Sequence, residues 1–227
     1  FDEAVTVTGT PTVTLSNSDV ASYVSGSGSA NIVFTTTIAE GDSTSADLAV
    51  SSIQPTAGGA TMKDAAGNAI DTTVTAGDLG TVTVDGAVPV FSSVAATDGA
   101  YGVGETLSIT VTWGEAVVVS GTPTLTLSNG DTASYASGTG STALVFSTVI
   151  QSTDTETTDL SVSSYSGTIT DAAGGAAGAA SGDLGAVIID VSPPSTTISY
   201  AGSSPATGST FDVSIVFGSS VTGVIAS

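Results

Sequence analysis

The chain of 227 residues contains 21 Asp and Glu but one Lys, no Arg and no His, giving a formal net charge of −20, and 40 % of its residues are hydrophobic. Nucleic acids and anionic membrane surfaces are therefore poor partners, because both are bound by clustered Lys and Arg, and divalent cations are the expected ones. No aliphatic run approaches the ~20 residues of a membrane helix, so we expect no direct membrane insertion.

Alternating apolar and polar residues predict half-buried antiparallel strands along the chain. The clearest alternation runs from Ile32 to Ile38 and from Leu107 to Trp113. Further strands are predicted, in chain order, at Phe91–Ala95, Thr124–Leu127, Ala133–Ala136, Ala143–Ile150, Leu160–Ser164 and Ala186–Ile189. No segment has a helical period of useful length. About seven short strands in ~100 residues are typical of an immunoglobulin-type β-sandwich, although the diagnostic Cys–Trp–Cys set is missing.

An internal repeat organises these strands. The stretch FDEAVTVTGTPTVTLSN, at residues 1–17, returns as WGEAVVVSGTPTLTLSN at residues 113–129, a shift of 112 positions. Asp64-Ala-Ala-Gly likewise returns as Asp171-Ala-Ala-Gly, and GSTFDVSIVF at residues 208–217 aligns with GETLSITVTW at residues 104–113. Phe1, Trp113 and Phe217 occupy the same place in each copy, so we expect each of them to fill a core.

The repeat predicts three domains along the chain. They are a first repeat without its opening strands at residues 1–88, a complete second repeat at residues 89–192, and the opening strands of a third at residues 193–227. This division indicates a window of a longer array. A second interpretation stays open, in which a strand from another chain completes the first repeat. The first residues lack the pattern of a signal peptide, so we expect any export signal to lie outside this sequence or to be of another kind.

The repeated motifs resemble a known family. FDEAVTVTGTPTVTL, ASYVSGSGSANIVF, MKDAAGNAI and VDGAVP are similar to motifs in the bacterial Ig-like repeats of giant cell-surface and secreted adhesins. The resemblance covers the chain least well after Ser195, where Ser219 replaces the Glu of the earlier copies. It implies tandem Ig-like β-sandwiches in an elongated head-to-tail array, an extracellular location, neighbouring Ig-like domains as partners, and frequently Ca²⁺ at the domain junctions.

Carboxylates are the candidate metal ligands. In a seven-strand sandwich, the entering linker with Asp85, a turn with Glu115 and the turn of Asp171 would lie at one pole, where Ca²⁺ could take their oxygens. The first-repeat equivalents are Glu3 and Asp64. The alternative is that these acids serve local turns, which suit their side chains. We favour this alternative for the acids of the opposite pole, which are Asp98, Asp131, Asp154, Glu156 and Asp190.

Catalysis is not expected, because a Ser or Thr nucleophile needs a neighbouring base and the chain has no His and no Cys. Its acidic residues recur at repeat positions, which favours an architectural role. We therefore predict a stalk, spacer or fibre segment of an extracellular cell-surface adhesion protein. One alternative is a filament or surface-layer subunit assembled by strand donation. Another is a Ca²⁺-dependent glycan-binding adhesin domain, which the 5 % aromatic content disfavours.

Overall fold

The fold consists of β-strands and short connections. The structure, a computed structural model, describes residues 1–73, 77–200 and 212–218. These residues form strands and one 3₁₀ turn at Ala57–Gly59, with no α-helix among them, so the predicted all-β class is confirmed. Thr, Ser and Val are the most frequent residues of the strands, and the branched side chains of Thr and Val pack well on a pleated surface.

The first repeat contains one five-stranded sheet and one two-stranded sheet. The five-stranded sheet has the order β4-β3-β2-β5-β7, with antiparallel neighbours, and β1 pairs with β6. The strands are β1 (Thr6–Thr8), β2 (Thr12–Leu15), β3 (Val20–Ser25), β4 (Val33–Thr35), β5 (Ala49–Gln54), β6 (Thr61–Lys63) and β7 (Gly77–Asp78). Its small buried cluster consists of Val13, Leu15, Ala21, Leu48 and Val84.

The second repeat is organised around one long strand, β10. The strands are β8 (Phe91–Ala96), β9 (Gly99–Tyr101), β10 (Thr106–Leu127), β11 (Thr132–Ser137), β12 (Ser141–Val149), β13 (Ser161–Thr170), β14 (Gly182–Asp183) and β15 (Val187–Ile189). The first part of β10 pairs with β8 and β12, and its second part pairs with β13 and β11. β15 pairs in parallel with β9, a contact that the sequence pattern did not indicate.

Strand β10 corrects one local prediction. The Trp113-Gly-Glu-Ala segment, expected to be a turn, is part of the continuous strand. The register with β12 shifts between Thr112 and Val117, and β13 becomes the neighbour from Val118 onward. The chain thus changes partners through a local irregularity instead of a turn, because the Val-rich residues that follow keep the backbone extended.

The core of the second repeat is large and apolar. Trp113 is 2 % exposed and makes edge-to-face contacts with Phe91 and Tyr165. By contrast, Phe1 is 48 % exposed and Phe217 is 38 % exposed, so the expectation that all three aromatic residues fill a core is correct only for Trp113. The physical reason is that β8 covers Trp113, whereas no described strand covers Phe1 in the same way.

Equivalent hydrogen bonds recur in the two repeats. The Tyr23 hydroxyl accepts a bond from the Ser27 amide, and the Tyr135 hydroxyl accepts one from the Thr139 amide. The Val7 amide donates to the Ser27 hydroxyl, as the Val119 amide does to the Thr139 hydroxyl. The sequence repeat is therefore accompanied by a repeat of local geometry.

The described part of the third segment is a two-stranded antiparallel sheet. Strand β16 (Thr196–Tyr200) pairs with β17 (Val213–Phe217), with Ile198 opposite Ile215. The beginning of the predicted third-copy strand, at residues 208–211, lies outside the described residues, as does Ser219.

Candidate metal site

Three carboxylates meet where the linker between the repeats contacts the second repeat. Asp171 follows the end of β13, Glu115 lies within β10, and Asp85 lies on the linker between β7 and β8. Each contributes a carboxylate oxygen, and these oxygens all lie within 4.8 Å of one another. The structure thus brings together the three residues named from the sequence for this junction.

Asp171 is the buried member of the group, with 4 % of its surface exposed. Its Oδ1 accepts hydrogen bonds from the amides of Ala173, Gly174 and Gly175, at 2.8, 2.7 and 2.8 Å. These bonds hold the loop in a tight turn. Its Oδ2 is buried and has no hydrogen-bond partner. A buried oxygen without a hydrogen-bond partner lowers the stability of the folded state, and buried polar groups in native proteins generally have a partner.

The negative charges of the cluster act on one another. The pKa of Glu115 is raised above its usual value, mainly by desolvation and then by repulsion from Asp85 and Asp171. The Asp85 Oδ1 accepts a bond from the Ala87 amide at 3.2 Å, which fixes the carboxylate on the linker. A bound proton or a bound cation would relieve the repulsion.

Gly175 permits the close approach of the loop to the linker. A Cβ atom at this position would lie 2.5 Å from Asp171 Oδ2 and 3.0 Å from the Ala87 carbonyl oxygen. Because only glycine lacks that atom, the carboxylate and the carbonyl can both lie beside the same backbone. The amide of Gly178 donates to the Pro89 carbonyl at 3.0 Å, which ties the loop to the linker a second time.

A cleft of about 520 Å³ adjoins this contact. Its walls come from the first repeat, the linker and the loop after β13, namely residues 38–40, 83–88 and 173–176. Of the three carboxylates, Asp85 lines this cleft, so solvent and small ions reach the cluster at its linker member.

The first-repeat equivalents have a different arrangement. Both Asp64 oxygens accept bonds from Asn68: Oδ1 from the backbone amide at 2.8 Å and Oδ2 from the side-chain amide at 2.7 Å. These bonds lower the pKa of Asp64. Glu3 is exposed and lines a cavity of about 210 Å³ together with Asp64. Among the described residues, this pair is not part of a group of three carboxylates.

Three acids named for the opposite end of the second repeat serve local turns. Asp154 accepts a bond from the Gln151 amide and Asp190 from the Ser192 amide. Asp131 accepts a bond from the Asn129 side chain. These three are occupied locally, as expected for Asp in turns. Asp98 accepts a bond from the Ala186 amide, 88 positions along the chain, and so joins distant segments.

Sequence reasoning identified the three carboxylates but missed Gly175, the Ala87 carbonyl and the unpaired Asp171 oxygen. One signal was present: where the first repeat has Asn68 in its Asp-Ala-Ala-Gly-Asn loop, the second has Gly175. Loss of that amide side chain removes the donor that fills the second oxygen in the first repeat.

Comparison with known proteins finds no matching family model, no significantly matching curated protein and no significantly matching solved structure. None of the described residues lies in an apolar helix long enough to cross a lipid bilayer.

Proposed function

We propose that the chain is a non-catalytic structural segment of an extracellular cell-surface adhesion protein, a spacer or fibre section made of tandem immunoglobulin-like β-sandwiches and stiffened by Ca²⁺ between repeats. The architecture is supported by the hydrogen bonds shared between the two repeats. It is also supported by β10, whose first part pairs with β8 and β12 and whose second part pairs with β13 and β11, as expected of one long strand shared by the two layers of a sandwich.

One observation carries the proposal of Ca²⁺: the buried, unpartnered Oδ2 of Asp171 in a cluster with Asp85 and Glu115. All of these donors are oxygens, and no His or Cys exists in the chain to favour a softer metal. Ca²⁺ takes six to eight oxygen ligands in flexible geometry, so three carboxylates, a backbone carbonyl such as that of Ala87, and water make a suitable set.

Binding at this place has a mechanical consequence. Asp85 belongs to the linker, whereas Glu115 and Asp171 belong to the second repeat. A cation held by all three would fix the linker against the second repeat and remove the repulsion among the carboxylates. The joint would then resist bending when Ca²⁺ is present and loosen when it is chelated, which suits a spacer in a calcium-rich extracellular medium.

Calcium titration of the chelator-treated full chain by isothermal calorimetry tests the proposal. We expect one binding event with a Kd of about 10⁻⁴–10⁻³ M, the usual range of extracellular modules. A Ca²⁺ concentration of one hundred times Kd would then stabilise the folded chain by about 2.7 kcal/mol. Fluorescence of Trp113, the single tryptophan, reports thermal unfolding of the second repeat.

Two variants make this test specific. The double variant Glu115→Gln/Asp171→Asn should lose both the heat and the thermal shift, because two of the three charges are removed. Asp64→Asn, at the equivalent loop of the first repeat, should keep them, because Asn68 already occupies both Asp64 oxygens. Equal heats in wild type and the double variant, or no heat in wild type, would reject the proposal.

A further inference from the structure

The first repeat holds Asp85 from both sides. Val84, directly before it, is 3 % exposed and belongs to the buried cluster of the first repeat. The Val84 amide donates to the Ser45 carbonyl at 2.8 Å, and the Val84 carbonyl accepts from the Ser45 amide at 2.9 Å. Gly86, directly after Asp85, accepts a bond from the Gly41 amide at 2.8 Å. The backbone of Asp85 is therefore fixed to the first repeat, although it lies outside the strands.

Gly86 fits closely against a turn of the first repeat. Residues 39–42 form this turn, and the Asp42 Oδ2 closes it by accepting a bond from the Ala39 amide at 2.6 Å. A Cβ atom on Gly86 would lie 2.8 Å from the Asp42 amide nitrogen and closer still to the Asp42 carbonyl oxygen. Gly86 is outside the left-handed region of backbone conformation. The lack of space beside Asp42 is therefore what requires glycine at this position.

The second repeat holds the connection from Pro89 onward. The Pro89 carbonyl accepts the bond from the Gly178 amide at 3.0 Å. Pro89 and Gly86 are both buried, whereas Ala87, between them, is exposed. Among the described residues, no backbone hydrogen bond joins Ala87 or Val88 to either repeat. The part of the connection that is free to change conformation is thus only two residues long.

The cleft beside these two residues leaves room for movement. One wall consists of residues 38–40 of the first repeat, and the opposite wall consists of residues 173–176 of the second. The cleft has a volume of about 520 Å³. Because open space separates the walls, the angle between the repeats can change without displacing packed side chains.

We propose that Ala87 and Val88 form the hinge between the repeats, and that Asp85 enters the carboxylate cluster as a residue of the first repeat, positioned by Gly86. Glu115 and Asp171 lie on the other side of the hinge. The three carboxylates therefore meet at one angle between the repeats, so this angle and cation binding are coupled, and each stabilises the other. The inference rests on the proposed Ca²⁺ site and goes beyond it by assigning one ligand to each side of a defined hinge.

Calcium calorimetry on the chelator-treated full chain tests the positioning role of Gly86. Gly86→Ala displaces the connection from the turn of residues 39–42 but keeps all three carboxylates. We expect its Kd for Ca²⁺ to rise roughly tenfold, because binding must then also order Asp85. Gly102→Ala is the matched control, since its Cβ atom would meet no atom closer than 3.8 Å. It should keep the wild-type affinity.

A second pair of variants separates positioning from the loss of charge. Asp42→Ala opens the turn without adding an atom, because it removes the acceptor of the Ala39 amide. Glu40→Ala removes the same charge from the same turn and leaves that bond intact. We expect the affinity for Ca²⁺ to fall further in Asp42→Ala than in Glu40→Ala. Hydrogen exchange of the first repeat checks that both variants are folded.

Distance measurement between spin labels reports the angle between the repeats. The protein has no cysteine of its own, so labels can be placed at Val24→Cys and Ala136→Cys, exposed and equivalent positions on β3 and β11. In the otherwise wild-type chain, we expect a broad distance distribution in chelator and a narrow one in saturating Ca²⁺. With Gly86→Ala added, the distribution should stay broad in saturating Ca²⁺.

The outcomes separate this inference from the proposed function. Absence of a calcium event in wild type would reject the proposed function, and this inference with it. A wild-type event whose affinity is unchanged in Gly86→Ala would overturn this inference alone, because the site would then form without the first repeat. A distance distribution that Ca²⁺ leaves equally broad in wild type would have the same meaning.

Discussion

The two repeats carry the same strand pattern but bury it to different extents. Phe146 of the second repeat is completely buried, whereas Phe34, its equivalent, is half-buried. The aromatic contact is the same in both, since Phe146 packs edge-on against Tyr135 and Phe34 against Tyr23. The burial differs because β8 and the first part of β10 cover the core of the second repeat. Alternation in sequence thus determines which side of a strand faces inward, and a covering strand determines how fully it is buried.

The same contrast applies to the two Asp-Ala-Ala-Gly loops. In the first repeat, Asn68 donates to both oxygens of Asp64, so the loop satisfies its own carboxylate. In the second, Gly175 supplies only a backbone amide, and the second Asp171 oxygen stays without a donor beside the linker. A single residue difference therefore separates a loop that satisfies both oxygens of its carboxylate from a loop that leaves one oxygen without a donor.

Truncation of the equivalent aromatic residues should produce the largest difference between the repeats. Phe146→Ala removes a fully buried ring and should lower the free energy of unfolding of the second repeat by about 3–5 kcal/mol. Phe34→Ala, which truncates a half-buried ring, should cost the first repeat about 1–2 kcal/mol, because water already contacts part of that ring. Denaturant unfolding followed by Trp113 fluorescence measures the second repeat, and segment-resolved hydrogen exchange measures the first.

Equal costs in the two repeats would show that Phe34 is covered as fully as Phe146, and the comparison between an open and a covered repeat would fail.

Crowding of the Asp171 loop should have the next largest effect. Gly175→Ala places a Cβ atom 2.5 Å from Asp171 Oδ2 and 3.0 Å from the Ala87 carbonyl oxygen, so one of these oxygens must move. We expect Ca²⁺ affinity to fall at least tenfold, or about 1.4 kcal/mol. Gly178→Ala is the matched control, because its Cβ would meet only the Pro89 carbonyl at an ordinary 3.7 Å. Calorimetry should find wild-type affinity in the control, and equal affinities in the two variants would mean that the cation binds elsewhere.

The sequence predicted the features that depend on local pattern and repetition. The strands at Phe91–Ala95, Ala133–Ala136 and Ala143–Ile150 were predicted to within about two residues of their structural bounds. Asp85, Glu115 and Asp171 lie together, as expected from the sequence on the assumption that a linker and two connections meet at the same end of a repeat. These are inferences from period and spacing.

The features that were missed depend on contacts between distant residues. The change of partner of β10 from β12 to β13, near Glu115, is not encoded in the sequence of one strand, so a turn was expected there. The parallel pairing of β9 with β15 joins residues almost 90 positions apart, Gly99 and Val187. The exposure of Phe1 depends on which strand lies above it, which cannot be read from its own segment.

The smallest expected effect concerns the loop that already satisfies its carboxylate. Asn68→Ala removes the side-chain donor to Asp64, the largest of the causes that lower the pKa of this carboxyl, so its pKa should rise toward 3.8. Carboxyl NMR titration measures the shift. Asp71, whose pKa is lowered by hydrogen bonds from Thr73, serves as the internal control and should not change.

This change should also lower stability at neutral pH and lose that effect in acid. A lowered pKa in the folded state stabilises the fold above the unfolded value and loses that effect as pH falls through the folded pKa. Wild type and Asn68→Ala should therefore differ least below both pKa values.

Asn68→Ala also separates two explanations of the junction site. The variant frees the Asp64 Oδ2, but this carboxylate is more exposed than Asp171 and is not grouped with two other acids among the described residues. We therefore expect calorimetry to find no second Ca²⁺ event. If the variant did bind a second Ca²⁺ with the affinity of the junction, a free Asp oxygen in this loop would be sufficient for binding. The linker carboxylate of Asp85 and the burial of Asp171 would then be unnecessary, and the cation would have no reason to stiffen the joint.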